Sequence, residues 1–151
     1  MDRDRVEQRL TGFIREYAAY GDSLYWYPLT PLKKQIPVAA FDLERIYADG
    51  GLPALEAVFR RCGITTVCTF QMDQRALFEG DGIGELLNER CGAGYAFPRY
   101  VETFYFDGSE TWLVYVSHEG TISFTGERIA RIAAGEIPAR YRTENGTEAK
   151  T

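Results

Sequence analysis

The chain has one histidine, three cysteines and no basic run longer than two residues. Each shortage excludes a class of function. With His118 as the sole histidine, zinc hydrolase sites built on two or three histidine ligands are impossible. Any Ser–His or Cys–His dyad has only this one base available. Cys62, Cys68 and Cys91 are odd in number and widely spaced, which fits neither a disulfide framework nor a zinc site. Lys33-Lys34 and Arg60-Arg61 are the longest basic runs, and the net charge is −5 with a sequence pI of about 5.0. A chain that replaces phosphate counterions needs clustered Lys and Arg, so nucleic acid is not an expected partner.

No stretch approaches the ~18 apolar residues of a membrane span. The charged start, Met1-Asp2-Arg3-Asp4-Arg5, has no apolar signal core behind it. Together with free thiols this leads us to expect a soluble protein of the cytoplasm. Cofactor loops are missing as well. Gly80, Gly82 and Gly84 are spaced G-x-G-x-G, and Glu85 stands where a dinucleotide fingerprint needs its third glycine. Glu79, Asp81 and Glu85 would repel a phosphate there, and no P-loop lysine follows. The acidic spacing of a calcium loop is also absent. Neither a cofactor nor a metal is expected.

Aromatic residues are abundant. Ten Tyr, nine Phe and two Trp make up 14% of 151 residues. Such residues suit half-buried pleated sheets, and Tyr and Trp also dominate binding hot spots. Their placement decides between the two.

Along the chain, Val6, Leu10, Phe13, Ile14 and Tyr17 fall on one helical face. Pro28, Pro31 and Pro37 then make residues 22–41 irregular or partly extended. A short helical turn is predicted over 42–47, ended by Gly50-Gly51. A longer helix follows, with Pro53 in its first turn, a buried stripe of Leu55, Val58, Phe59 and Cys62, and Gly63 as its stop. Ile64 to Met72 carries β-branched residues on both sides, the mark of an interior strand. Ala76 to Glu79 reads as a return strand, and Ile83, Leu86 and Leu87 as a short helix. Arg99 to Phe106, Thr111 to Ser117 and Thr121 to Thr125 form three strands joined by short Gly-bearing turns, hence an antiparallel meander. Ile129, Ile132 and Ala133 mark a last helix.

This order predicts an α+β fold: an antiparallel meander of three to five strands packed with N-terminal, central and C-terminal helices. We expect one domain over residues 1–140 and a flexible polar tail over 141–151.

Three residues could carry acid–base chemistry. His118 and Glu119 sit in the turn between the last two meander strands, where polar residues are common for conformational reasons alone. Glu102 shares a face with Tyr100, Phe104 and Phe106. A carboxylate on a buried face needs a partner, or its pKa rises; at an open end it is a rim charge. The register decides: Glu102 lies opposite Tyr115 in one, opposite Val116 in the next. Both meander faces are apolar, with Trp112, Val114 and Val116 on one and Leu113 and Tyr115 on the other. One face is therefore either fully covered or a docking surface.

The leading expectation is a protein-binding module, immunity- or antitoxin-like, that neutralises a basic partner. Its acidic surface would carry Tyr25, Trp26, Tyr27, Tyr105, Trp112 and Tyr115. One alternative is a small enzyme or ligand binder with a pocket beside the meander, using Glu102, His118 and Glu119. The other is a homo-oligomer, in its simplest form a homodimer, that buries the apolar sheet face.

Overall fold

The structure is a computed structural model, and it describes residues 4, 5, 8, 37–65, 67–71, 76–80, 103–109, 111–117 and 120–143. Within these residues one antiparallel sheet of six strands organises the fold. The strands are β1 (Val38–Asp42), β2 (Val67–Gln71), β3 (Ala76–Gly80), β4 (Thr103–Phe106), β5 (Leu113–Val116) and β6 (Thr121–Thr125). They run in the order β1-β6-β5-β4-β2-β3. The helices are α1 (Leu43–Ala48), α2 (Leu52–Arg61) and α3 (Glu127–Glu136), and a 3-10 turn follows at Ala139–Tyr141.

The α+β class and the antiparallel meander β4-β5-β6 agree with the sequence. The sheet is wider than the expected three to five strands because β1, from the stretch read as irregular or partly extended, pairs along β6 from Val38–Thr125 to Asp42–Thr121. β2 lies between β3 and β4, which makes it the interior strand that its two-sided β-branched pattern predicts. The hairpin register differs from both expected ones. Thr103 faces Val116 and Phe104 faces Tyr115, so the positions proposed for Glu102 are taken. Residues 4, 5 and 8 are helical, while the stripe Val6, Leu10, Phe13, Ile14 and Tyr17 lies outside the described residues, as does the helix expected around Leu86.

Local chemistry explains the boundaries. Asp42 ends β1 and starts α1: its Oδ1 accepts the Arg45 N–H at 3.0 Å, the N-cap bond that satisfies an orphan donor. Pro53 occupies the first turn of α2, where a missing N–H costs nothing. Of the four described glycines with positive φ, Gly120 and Gly126 also sit against close neighbours. Gly120 has φ 81°, and its carbonyl accepts the Leu43 N–H at 2.8 Å, which ties the β5–β6 turn to the start of α1. Gly126 has φ 134°, and a Cβ there would sit 2.6 Å from the Thr111 carbonyl oxygen. No other residue fits between β6 and α3 at that distance.

The helices cover the face bearing Ala39, Phe41, Ile122, Phe124, Val114, Val116 and Tyr105. Leu55, Val58 and Phe59 of α2 and Ile129, Ala130 and Ala133 of α3 are the buried stripes that meet it. Phe59 is the hub. Its ring meets Trp112 edge-on at 5.8 Å and Phe124 at 6.1 Å, and Phe124 meets Phe41 edge-on at 6.1 Å. Edge-to-face pairs of this kind add about 0.5–1.5 kcal/mol beyond their area. The opposite face is buried too: Phe104 and Tyr115 stack at 4.8 Å, and Cys68, Leu113, Ser123 and Thr125 are all buried there. A sheet closed on both sides explains why its strands lack the polar alternation of a half-exposed sheet.

Tyr141, Arg142 and Thr143 were expected to open a flexible tail. Instead Tyr141 is buried, Arg142 bridges to Phe41, and the Thr143 N–H donates to the Ala40 carbonyl at 3.2 Å. A tyrosine in a polar stretch contributes enough apolar area to anchor residues that composition alone assigns to solvent.

Candidate functional site

The nine residues singled out by the sequence divide into two groups. Tyr105, Trp112 and Tyr115 are 0%, 6% and 0% exposed. They are core residues, and the structure gives them no place on a recognition surface. The correction has a physical reason: a meander strand buried on both faces uses large aromatics for packing wherever they occur. Tyr25, Trp26, Tyr27, Glu102, His118 and Glu119 lie outside the described residues.

The frame around His118 and Glu119 is described. The Ser117 N–H donates to the Thr121 carbonyl at 3.0 Å, and the Gly120 N–H donates to the Ser117 carbonyl at 3.1 Å. The Ser117 and Thr121 hydroxyls are 2.7 Å apart. These bonds close the turn on both sides, and Gly120 docks it on α1.

Trp112 carries one unusual feature. Its indole Nε1 is buried and has no hydrogen-bond partner among the described residues, and the same holds for Ser123 Oγ and Thr125 Oγ1 on the opposite face. Buried donors of this kind are normally paired with protein or with ordered water.

A second polar cluster has no signal in the sequence. The Tyr141 hydroxyl donates to Asp49 Oδ2 at 2.7 Å and accepts from Arg140 Nη2 at 2.9 Å. The Arg140 guanidinium lies 4.7 Å from the Tyr141 ring centroid, and that of Arg45 lies 5.9 Å away. Arg45 Nη1 also donates to the Arg140 carbonyl at 3.3 Å. The hydrogen bond to Tyr141 pushes the Arg140 pKa up further. Charge-assisted bonds and two cation–π contacts thus converge on one ring. Asp49 and Tyr141 are 92 positions apart, so only the fold brings them together.

Several other described charges make structural contacts as well. Arg61 pairs with Glu136, and Arg128 Nη2 donates to the Arg61 carbonyl at 3.3 Å, fastening α2 to α3. Asp107 accepts from the Ser109 N–H at 2.9 Å and shapes the β4–β5 turn. Cys62, half-buried at the end of α2, has its thiol pushed up by burial, opposed in part by Arg128. A raised thiol is a poor nucleophile at neutral pH. Among the described residues no group of three or more His, Cys, Asp or Glu could hold a metal ion, and no helix is long and apolar enough to cross a membrane.

Charge is unevenly divided along the chain. Residues 37–65 and 120–143, which hold the helices and the β1–β6 pair, contain seven arginines and six carboxylates. Residues 66–119 contain nine carboxylates and three arginines. The acidic surplus of the molecule is therefore a property of that middle stretch. Two of its acids are placed by the structure: Glu79 on β3, at the end of the strand order, and Asp107 in the β4–β5 turn.

Compared with family models, curated proteins and solved structures, the chain matches none.

Proposed function

We propose that this chain is a protein-binding module of immunity or antitoxin type, acting in the cytoplasm, which engages a basic partner through the acidic stretch 66–119. The observation that supports the reading is the charge division. The helical layer is close to neutral, while the middle stretch holds three carboxylates for every arginine. An acidic surplus steers a basic partner and speeds encounter, with a strong dependence on salt. The aromatic contribution differs from the initial expectation, because Tyr105, Trp112 and Tyr115 are core. Tyr25, Trp26 and Tyr27 remain its candidate aromatic anchors.

The test is capture of a partner by the tagged full chain at low and at raised salt, beside a variant carrying Asp81→Asn, Glu85→Gln and Glu89→Gln. The expected result is a stoichiometric basic protein that raised salt releases and that the variant retains poorly. Capture of the same protein at raised salt, undiminished in the variant, would overturn the reading.

A further inference from the structure

The outer edge of β1 is a liability that the molecule manages with its own C-terminal residues. An edge strand presents a row of backbone donors and acceptors, a template for pairing with another chain. β1 pairs with β6 on one side. On the other side, the Thr143 N–H meets the Ala40 carbonyl at 3.2 Å, and Arg142 stands opposite Phe41. That bridge is a single pair, too short to hold by itself. What holds it is Tyr141. Its ring is in the core, its hydroxyl is bound to Asp49 and Arg140, and Arg45 and Arg140 lie against the ring. Asp49, Arg45 and Arg140 are all exposed, so the latch sits at the surface, where it is open to competition.

We propose that Ala139–Thr143 is a guard over the β1 edge, fastened by the Tyr141–Asp49 latch, and that its release makes β1 a site of antiparallel strand addition by a second copy of this chain. The edge beneath the guard suits a copy of itself. Val38-Ala39-Ala40-Phe41 has no charge and no proline to discourage pairing. Two such edges centred on Ala40 place Val38 opposite Asp42 and Ala39 opposite Phe41. Neither Asp42 then faces its like, and the pairing is two-fold symmetric. Because the Ala40 carbonyl already points outward to Thr143, this register reuses a group that the guard occupies.

The experiment compares the full-length chain with Tyr141→Phe, which keeps the ring and removes the hydroxyl. Amide exchange is read at Thr143, Ala40 and Val114, and mass is followed by light scattering across a concentration series. Loss of the latch should speed Thr143 exchange about tenfold, the scale of one or two hydrogen bonds, and leave Val114 in the sheet centre protected. A concentration-dependent dimer should form, and the Ala40 amide should gain protection with it. The inference is overturned if Thr143 exchanges as before, if the variant stays monomeric at every concentration, or if a dimer forms without protecting Ala40. Should Tyr141→Phe also expose Val114, Asp49→Ala at its exposed position gives the same readings with the tyrosine intact.

Discussion

Residues 37–65 and 120–143 put charge to structural use. Asp42 caps α1, Arg61 and Glu136 join two helices, and Asp49 and Arg140 hold Tyr141. Their seven arginines and six carboxylates nearly cancel. Residues 66–119 have the opposite character, with nine carboxylates against three arginines. Folding does not call for such an excess. Like charges repel, and their self-repulsion costs stability while serving solubility and association. Both regions supply strands and core residues to one sheet, but charge substitutions in the two should differ in effect, because the described charges of the first are engaged in caps, ion pairs and the Tyr141 cluster.

The largest contrast comes from the aromatic hub. Phe59→Ala removes a ring that touches both Trp112 and Phe124. It should cost about 3–5 kcal/mol, read as a fall in the denaturant midpoint with an unchanged slope. The triple neutralisation of Asp81, Glu85 and Glu89 should move stability by no more than about 0.5 kcal/mol per site and act on partner capture instead. Equal destabilisation by both would erase the distinction between the regions. Trp112 refines the same comparison: Trp112→Phe should cost much less than Trp112→Ala, because it keeps an aromatic ring beside Phe59 and removes an indole N–H that has no partner among the described residues.

Next in size is Gly126→Ala. It places a methyl 2.6 Å from the Thr111 carbonyl at a φ of 134°. Strain of this kind costs of order 1–3 kcal/mol, measurable as a lower thermal midpoint. Gly63→Ala, at φ 73° but in open space, should cost less. A similar cost at both positions would show that the close approach between β6 and β5 is unimportant.

Most of the described fold follows from local rules that a sequence displays. The Pro53 start and the Leu55, Val58, Phe59 stripe locate α2, and short Gly-bearing gaps locate the meander. Two things escape such rules. One is register: Thr103 opposite Val116 is set by how the whole sheet packs, and a shift of one residue leaves the strand pattern in sequence unchanged. The other is long-range pairing. Val38–Asp42 becomes a strand because β6 supplies its partner, and Tyr141 is buried because Asp49 and the neighbouring arginines accommodate it. The same limit explains the aromatic misassignment. Trp112 and Tyr115 fit both a binding face and a core, and only the cover on both sides of the sheet separates the two.

The smallest effect concerns Cys62, where the helical layer meets solvent. Burial raises its thiol pKa above 9.0, with Arg128 working in the other direction. The folded state therefore holds the proton more tightly than the unfolded chain does. The neutral thiol's contribution to stability is complete below about pH 9 and is lost as pH rises from the unfolded value through the folded one. In a chain carrying Cys68→Ala and Cys91→Ala, alkylation of Cys62 at pH 8 should be slower than that of a free thiol. Adding Arg128→Gln removes the opposing charge and should slow it further. A faster reaction after Arg128→Gln would mean that this arginine shields the thiol from reagent more than it stabilises the thiolate, and that the surface joining α2 to α3 is governed by access rather than charge.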